Sequence, residues 1–223
     1  MNKRILATAS LALMIAALYF ALIYAPTEAT MGTIQRIFYF HLPQGIASYV
    51  SALLLGFASL MYLIKRDLHW DRFAYCSAEL GVMFASTSIV TGMIWARPVW
   101  NTWWSGDARL NLQLILALLF VGYLMLRAYL PEREQKARLS TVFGFLAALD
   151  VPINYAATRI WTTLHPEPVV GPGGGGLDPQ MKTALYVSFL AFGFLYAYLF
   201  TQRLEIANME DEVDHLQHVV EAA

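Results

Sequence analysis

Cysteine is nearly absent from this chain: Cys76 stands alone. One thiol cannot close a disulfide within the chain, and it cannot form a Cys-x-x-Cys redox pair. It reads as a small apolar packing residue. Charge is also scarce, at 14% of the 223 residues. So little charge does not fit the surface of a soluble domain. Neither sign dominates: a net charge of −1 offers no basic face for nucleic acid and no polybasic anchor for lipid headgroups. Nucleotide-binding motifs are missing too. The glycine run 171–176 is followed by Leu177, where a phosphate loop needs Lys. Any use of ATP would need a partner.

What the chain has instead is apolar length. Hydrophobic residues make up 58% of it, arranged in six long runs: 5–25, 46–64, 73–94, 110–130, 139–157 and 182–201. Each crosses a hydrocarbon core of about 30 Å at about 1.5 Å per helical residue. Lipid cannot satisfy a loose N–H or C=O group, so helices are the expected form. The expected fold is an all-α membrane protein with six transmembrane helices in one bundle. The transmembrane domain is expected over 1–204, with a charged tail over 205–223. Asn2-Lys3-Arg4 before the first run has the look of a signal peptide, but a run of about 21 residues exceeds the usual ~7–15. It is read as a retained helix.

Basic residues set the expected orientation. With the N-terminus in the cytoplasm, ten of the fifteen Lys and Arg fall inside. The five outside are Arg36, Arg97, Arg109, Arg159 and Lys182. That satisfies the positive-inside rule and puts both termini in the cytoplasm. Segments 26–45, 95–109 and 158–181 are then expected on the outer face. His41 and His165 fall on that face; His69, His215 and His218 fall on the other.

Four of the six tryptophans lie within ten residues, in Trp95-Ala-Arg-Pro-Val-Trp100-Asn-Thr-Trp103-Trp104-Ser-Gly-Asp107. Indole is costly in water and awkward to bury, because its N–H wants a partner. Two readings stay open: an aromatic belt at the lipid interface, or a flat platform for a large planar ligand. A belt spreads over all helix ends, whereas these rings gather in one segment with Arg97, Pro98, Asp107 and Arg109. His41 and His165 reach the same face from two other segments. A planar ligand with a central metal fits such parts. Haem iron takes two axial imidazoles, and Arg suits propionates. Zinc would want three or four ligands, and these segments hold no Cys. Asp107 either holds Arg109 or caps the fourth helix.

The stretch Thr91-Gly-Met-Ile-Trp95 through Asp107-Ala-Arg-Leu110 resembles the tryptophan-rich WWD signature of haem-handling membrane proteins. Phe38-Tyr-Phe-His41-Leu-Pro43 resembles the aromatic-His-x-Pro segment at that family's second span. Trp161-Thr-Thr-Leu-His165 resembles its Trp-x-Thr-Leu-His segment after the fifth, and Val151-Pro-Ile stands at the matching distance. The likeness runs from about residue 34 to about residue 165, and six spans are similar to the CcmC-type branch. It implies a haem-binding delivery protein rather than an enzyme. Haem b would be held non-covalently, in transit, at the outer face of the bacterial inner membrane. It would pass to a membrane-anchored haem chaperone during cytochrome c maturation. ABC-type transporter subunits and a small single-span accessory protein are the other partners implied, in a lipid bilayer. By position, His41 and His165 would be the axial ligands. Trp95, Trp100, Trp103, Trp104 and Asp107 would present the ring, with Arg97 and Arg109 beside it. In the family's pattern a Gly stands where this chain has Asn101, and a Trp stands where it has Gly106. The platform is expected to be thinner at Gly106, with backbone freedom next to Asp107.

Other features bear on alternatives. Glu79, Asp150 and Asn154 lie within spans, where ionisable groups face a bundle or cavity. Asp150 and Asn154 share a helix face, which reads either as a polar patch hydrogen-bonded to a neighbouring helix, the favoured reading, or as part of a path or pocket for haem. Glu79, near the cytoplasmic side, is expected to snorkel toward water. Residues 31–40 read as a short interfacial helix. Ile206, Met209, Val213, Leu216 and Val220 follow a 3-4 spacing that suits a partner helix or the chain's own bundle. A permease subunit of an ABC exporter of haem or another small molecule is the main alternative function, with those span residues as its thin polar path. A membrane redox enzyme is the other, and would need a second cofactor or quinone site.

Overall fold

The computed structural model describes residues 3–161, 164 and 176–221. Helix α1 (Lys3–Tyr19) widens into a π-helical turn at Phe20–Tyr24. A tight 3-10 turn, Thr33–Ile37, leads into α2 (Phe38–Lys65). There follow α3 (Leu68–Trp100), α4 (Ala108–Tyr129), α5 (Arg133–Ile160) and α6 (Pro179–Glu221). Six helices are long and apolar enough to cross a membrane, and no β-strand forms among the described residues.

The stops between helices have local causes. Arg66 takes a left-handed φ of 55° to end α2, and Asp67 then caps α3 by accepting the His69 N–H at 2.8 Å. Leu130 is pushed into extended backbone by the proline that follows it, which ends α4. Glu28 organises the turn before Thr33. Its carboxylate accepts the backbone N–H groups of Thr30, at 2.8 Å, and of Met31. The Met31 N–H above all holds that carboxyl below the usual carboxylate range.

Three helix boundaries differ from the expected spans. Within 31–40 a short 3-10 helix forms over Thr33–Ile37 only and runs straight into α2, so His41 lies in the first turns of a helix. Helix α3 runs through Pro98 to Trp100, well past residue 94. It closes at Asn101, which adopts a left-handed φ of 56° while Arg97 donates to the Asn101 carbonyl at 2.9 Å and to its side chain. Helix α6 continues without a break through residues 204 and 205.

Helices α2 and α3 pair at the centre, α5 and α4 cover one side, and α6 followed by α1 covers the other. Small residues let α2 and α5 meet backbone to backbone. A Cβ on Gly56 would lie 2.5 Å from Ala148 Cβ, and one on Gly144 would lie 2.2 Å from Ser59 Oγ. Leu53, Leu118, Val142 and Leu190 are exposed, as lipid-facing side chains should be.

The two ends of the bundle are chemically unlike. One end holds the ion pairs: Arg127–Asp71 with Nη2–Oδ2 at 2.8 Å, Arg72–Asp211 at 2.5 Å, Arg133–Asp211, Arg203–Glu79 at 2.6 Å and Lys3–Glu205. Glu79 is therefore paired inside the protein rather than reaching for water, because α6 brings Arg203 to its level. The opposite end is an aromatic core of Phe38, Tyr39 and Trp95 packed with Ala21, Ala25, Met181, Ala184 and Leu185.

Candidate functional site

The first turns of α2 set His41 against one face of α3. Ser88, Thr91, Gly92 and Trp95 lie three, four or seven residues apart and so share that face. His41 Nδ1 lies 3.1 Å from the Ser88 carbonyl and 3.2 Å from Thr91 Oγ1. A carbonyl only accepts, so Nδ1 carries the proton and the ring's lone pair stays on Nε2. The Thr91 hydroxyl gives its own proton back along the helix, 2.8 Å from the Thr87 carbonyl. Its oxygen is thereby turned to receive from His41. Room for the ring comes from Gly92: a Cβ there would sit 3.0 Å from His41 Cε1.

The four tryptophans do not form one surface. Trp95, 6% exposed, belongs to the core, with its ring 5.9 Å from His41, 6.0 Å from Phe38 and 6.5 Å from Trp100. Trp103 is exposed and Trp104 half-buried on the turn after α3. Trp104 Nε1 donates to Asn111 Oδ1 at 3.3 Å, and Asn111 Nδ2 donates to the Gly106 carbonyl at 2.8 Å. Asn111 thus folds the 101–107 turn back on α4. It was not among the sequence candidates, although a carboxamide in an otherwise apolar run was the available signal.

Asp107 caps α4. Its Oδ1 accepts the Leu110 N–H at 3.1 Å and its Oδ2 the Ser105 hydroxyl at 3.0 Å. Gly106 takes a left-handed φ of 71°, a backbone that disfavours the Trp of the family's pattern. Asn101 occupies a left-handed position as well, which Gly and Asn both tolerate. The structure therefore gives both departures from the pattern a backbone reason.

The outer arginines divide by task. Arg97 is exposed and closes α3 through Asn101. Arg109 is half-buried at the start of α4, and its Nη1 is buried without a hydrogen-bond partner among the described residues. Arg36 ties down the end of α1 through the carbonyls of Ala21 at 2.9 Å, Leu22, and Ala25 at 3.2 Å. Arg159 lies over the Tyr155 ring at 5.4 Å. His165 lies outside the described residues, as do the glycine run 171–175 and Glu167. His69 stands far off at the ion-paired end, edge-on to Trp70. Asp150 and Asn154 are buried on α5. In place of the expected bond to a neighbouring helix, Asp150 Oδ2 and both amide atoms of Asn154 lack partners among the described residues.

Residues 2–219 match the family model described as heme exporter protein C. Heme exporter protein C of Bradyrhizobium diazoefficiens is 32% identical over 209 residues, covering 93% of this chain and 77% of that protein. Heme exporter protein C of Escherichia coli K12 is 30% identical over 184 residues, covering 81% and 73%. A putative cytochrome c biosynthesis ccmC-like mitochondrial protein of Marchantia polymorpha is 27% identical, covering 82% and 78%.

Proposed function

The chain belongs to the heme exporter protein C family, and from that membership we propose that its aromatic end holds haem b non-covalently and hands it to a membrane-anchored haem chaperone. It is a multi-pass membrane protein that handles haem for cytochrome c maturation, and it is not an enzyme. The aromatic end is assigned to the periplasmic face of the bacterial inner membrane, and the ion-paired end with both termini to the cytoplasm. Exporter partners follow from the relatives' name; we assign ABC-type transporter subunits and a small single-span protein beside the chaperone.

The observation that carries this reading is the tautomer of His41. Its Nδ1–H is committed to the Ser88 carbonyl, so the lone pair lies on Nε2, the nitrogen a metal takes. When bound, haem iron supplies an acceptor for an imidazole lone pair on each side of the ring. His41 and His165 are assigned as those two ligands. Trp95 and Trp100 would hold the His41 ring in place, and Arg109, with its buried Nη1, would meet a propionate. Arg97, Trp103, Trp104 and Asp107 are assigned to the rim, where the 101–107 turn meets the chaperone.

Absorption spectra of the detergent-purified protein test this, beside His41→Ala, His165→Ala and His69→Ala. A low-spin Soret band is expected, weakened or shifted in the first two variants and unchanged in the third. Full haem loading of both outer variants would sink the ligand assignment.

A further inference from the structure

Helix α6 is too long for a bilayer. Its 43 residues extend about 64 Å, against a hydrocarbon core of about 30 Å. It stays on the bundle as far as Asp211, which pairs with Arg72 and Arg133. Beyond that point Glu212, Val213, Leu216, Gln217 and Val220 are exposed. The side that meets the bundle carries Ala207, 4% exposed, and Asp211. At about 100° per residue, Ile206, Met209, Val213, Leu216 and Val220 fall on roughly the opposite side. These five are between 44% and 75% exposed. They form a straight apolar stripe of 3-4 spacing, with a shallow depression at Ile206, Met209 and Val213 beside Glu210.

Charge decides what covers the stripe. Residues 204–223 contain six acidic side chains and no Lys or Arg. Glu205 and Glu210 flank the stripe where they meet Lys3 and Arg203; farther out, Glu212 is exposed, and the segment holds no Lys or Arg to balance it. A second copy laid along the stripe would set acid against acid, in either direction. Anionic lipid headgroups would repel it too, and a helix continuous with α6 cannot turn to lie on the membrane. A cationic helix has neither difficulty. We propose that residues 206–220 dock a basic amphipathic helix of a partner protein, apolar stripe to apolar stripe, with the partner's Lys or Arg against the acidic flanks. This surface lies at the opposite end of the molecule from His41 and is independent of haem binding.

The test uses the full chain in phosphatidylcholine nanodiscs. The probe is a fluorescein-labelled helical peptide of about three heptads, with Leu at the a and d positions and Lys at e and g. Saturable binding by anisotropy is expected, weakening as salt is raised. Val213→Asp with Leu216→Asp should weaken it by about tenfold or more. Both side chains are more than half exposed, so the thermal midpoint should not move. The double variant is more acidic, so a peptide held by charge alone would bind it at least as well; that result overturns the proposal. Equal binding of a peptide with Glu at e and g also overturns it. So does a wild-type dimer in mass photometry that the double variant disperses, which would assign the stripe to a second copy.

Discussion

At the scale of single residues, the site is decided by what stands behind His41 rather than by His41 itself. Two α3 groups, the Ser88 carbonyl and the Thr91 hydroxyl, orient the ring, and one missing side chain, at Gly92, admits it. Adding a methyl at Gly92 places carbon 3.0 Å from Cε1, so the ring must tilt off its two acceptors. Gly92→Ala should therefore lower haem occupancy to a level between wild type and His41→Ala, read as Soret absorbance per protein, with little change in fold. Loading equal to wild type would show that the ring's position is not critical. A second prediction concerns Gly106. Supplying the family's Trp there adds an indole but forces a side chain onto a φ of 71°, a strain of about 1–2 kcal/mol. Gly106→Trp should lower the thermal midpoint and leave haem affinity no tighter. Tighter binding would mean that the missing ring, not the backbone, limits this site.

At the scale of elements, helix interiors were legible in the sequence and helix ends were not. Six apolar runs each became a helix, because lipid leaves the backbone no other way to pair. The runs stopped short at the aromatic end because hydropathy falls wherever Trp, Arg, Pro and His gather. The helices there are held by other means. Arg97 on Asn101 carries α3 through Pro98, and Arg36 on three carbonyls closes α1. Those contacts join residues whose pairing no periodicity announces. The nearness of His41 to Trp95 was legible from their types and their expected place at one end of the bundle. The separation of Trp95 from Trp103 was not, since it depends on where α3 ends. The capping role of Asp107, by contrast, was one of two readings open from the sequence, and the cap forms. Its loss should matter locally: Asp107→Ala removes acceptors from the Leu110 N–H and the Ser105 hydroxyl, a cost of about 0.5–2 kcal/mol. Fluorescence of Trp103 and Trp104 should shift, and haem release to the proposed chaperone should slow, while the Soret band expected of the proposed His41 ligand stays in place. An altered Soret band would instead put Asp107 in the haem pocket.

At the scale of the whole molecule, the bundle works as a polarised object. The ion pairs at one end tie α3, α4, α5 and α6 together, and the buried Arg127–Asp71 pair is the tightest knot. Arg127→Met leaves the Asp71 carboxylate, 4% exposed, without its partner, and should destabilise by about 3–5 kcal/mol. A much smaller drop in the thermal midpoint would show that water reaches this end freely. The same polarity underlies the orientation proposed for the protein. Ion pairs crowd the end that carries most of the basic residues, which the positive-inside rule assigns to the cytoplasm. Cys76, the lone thiol, is 0% exposed, so introduced cysteines can be read against a silent background. Trp103→Cys should react with a membrane-impermeant maleimide in intact cells whose outer membrane has been opened. Leu216→Cys should react only after the inner membrane is breached. The reverse pattern would turn the aromatic end inward. His41 would then face the cytoplasm, where no periplasmic chaperone collects haem, and the delivery reading would fail even if every spectrum agreed with it.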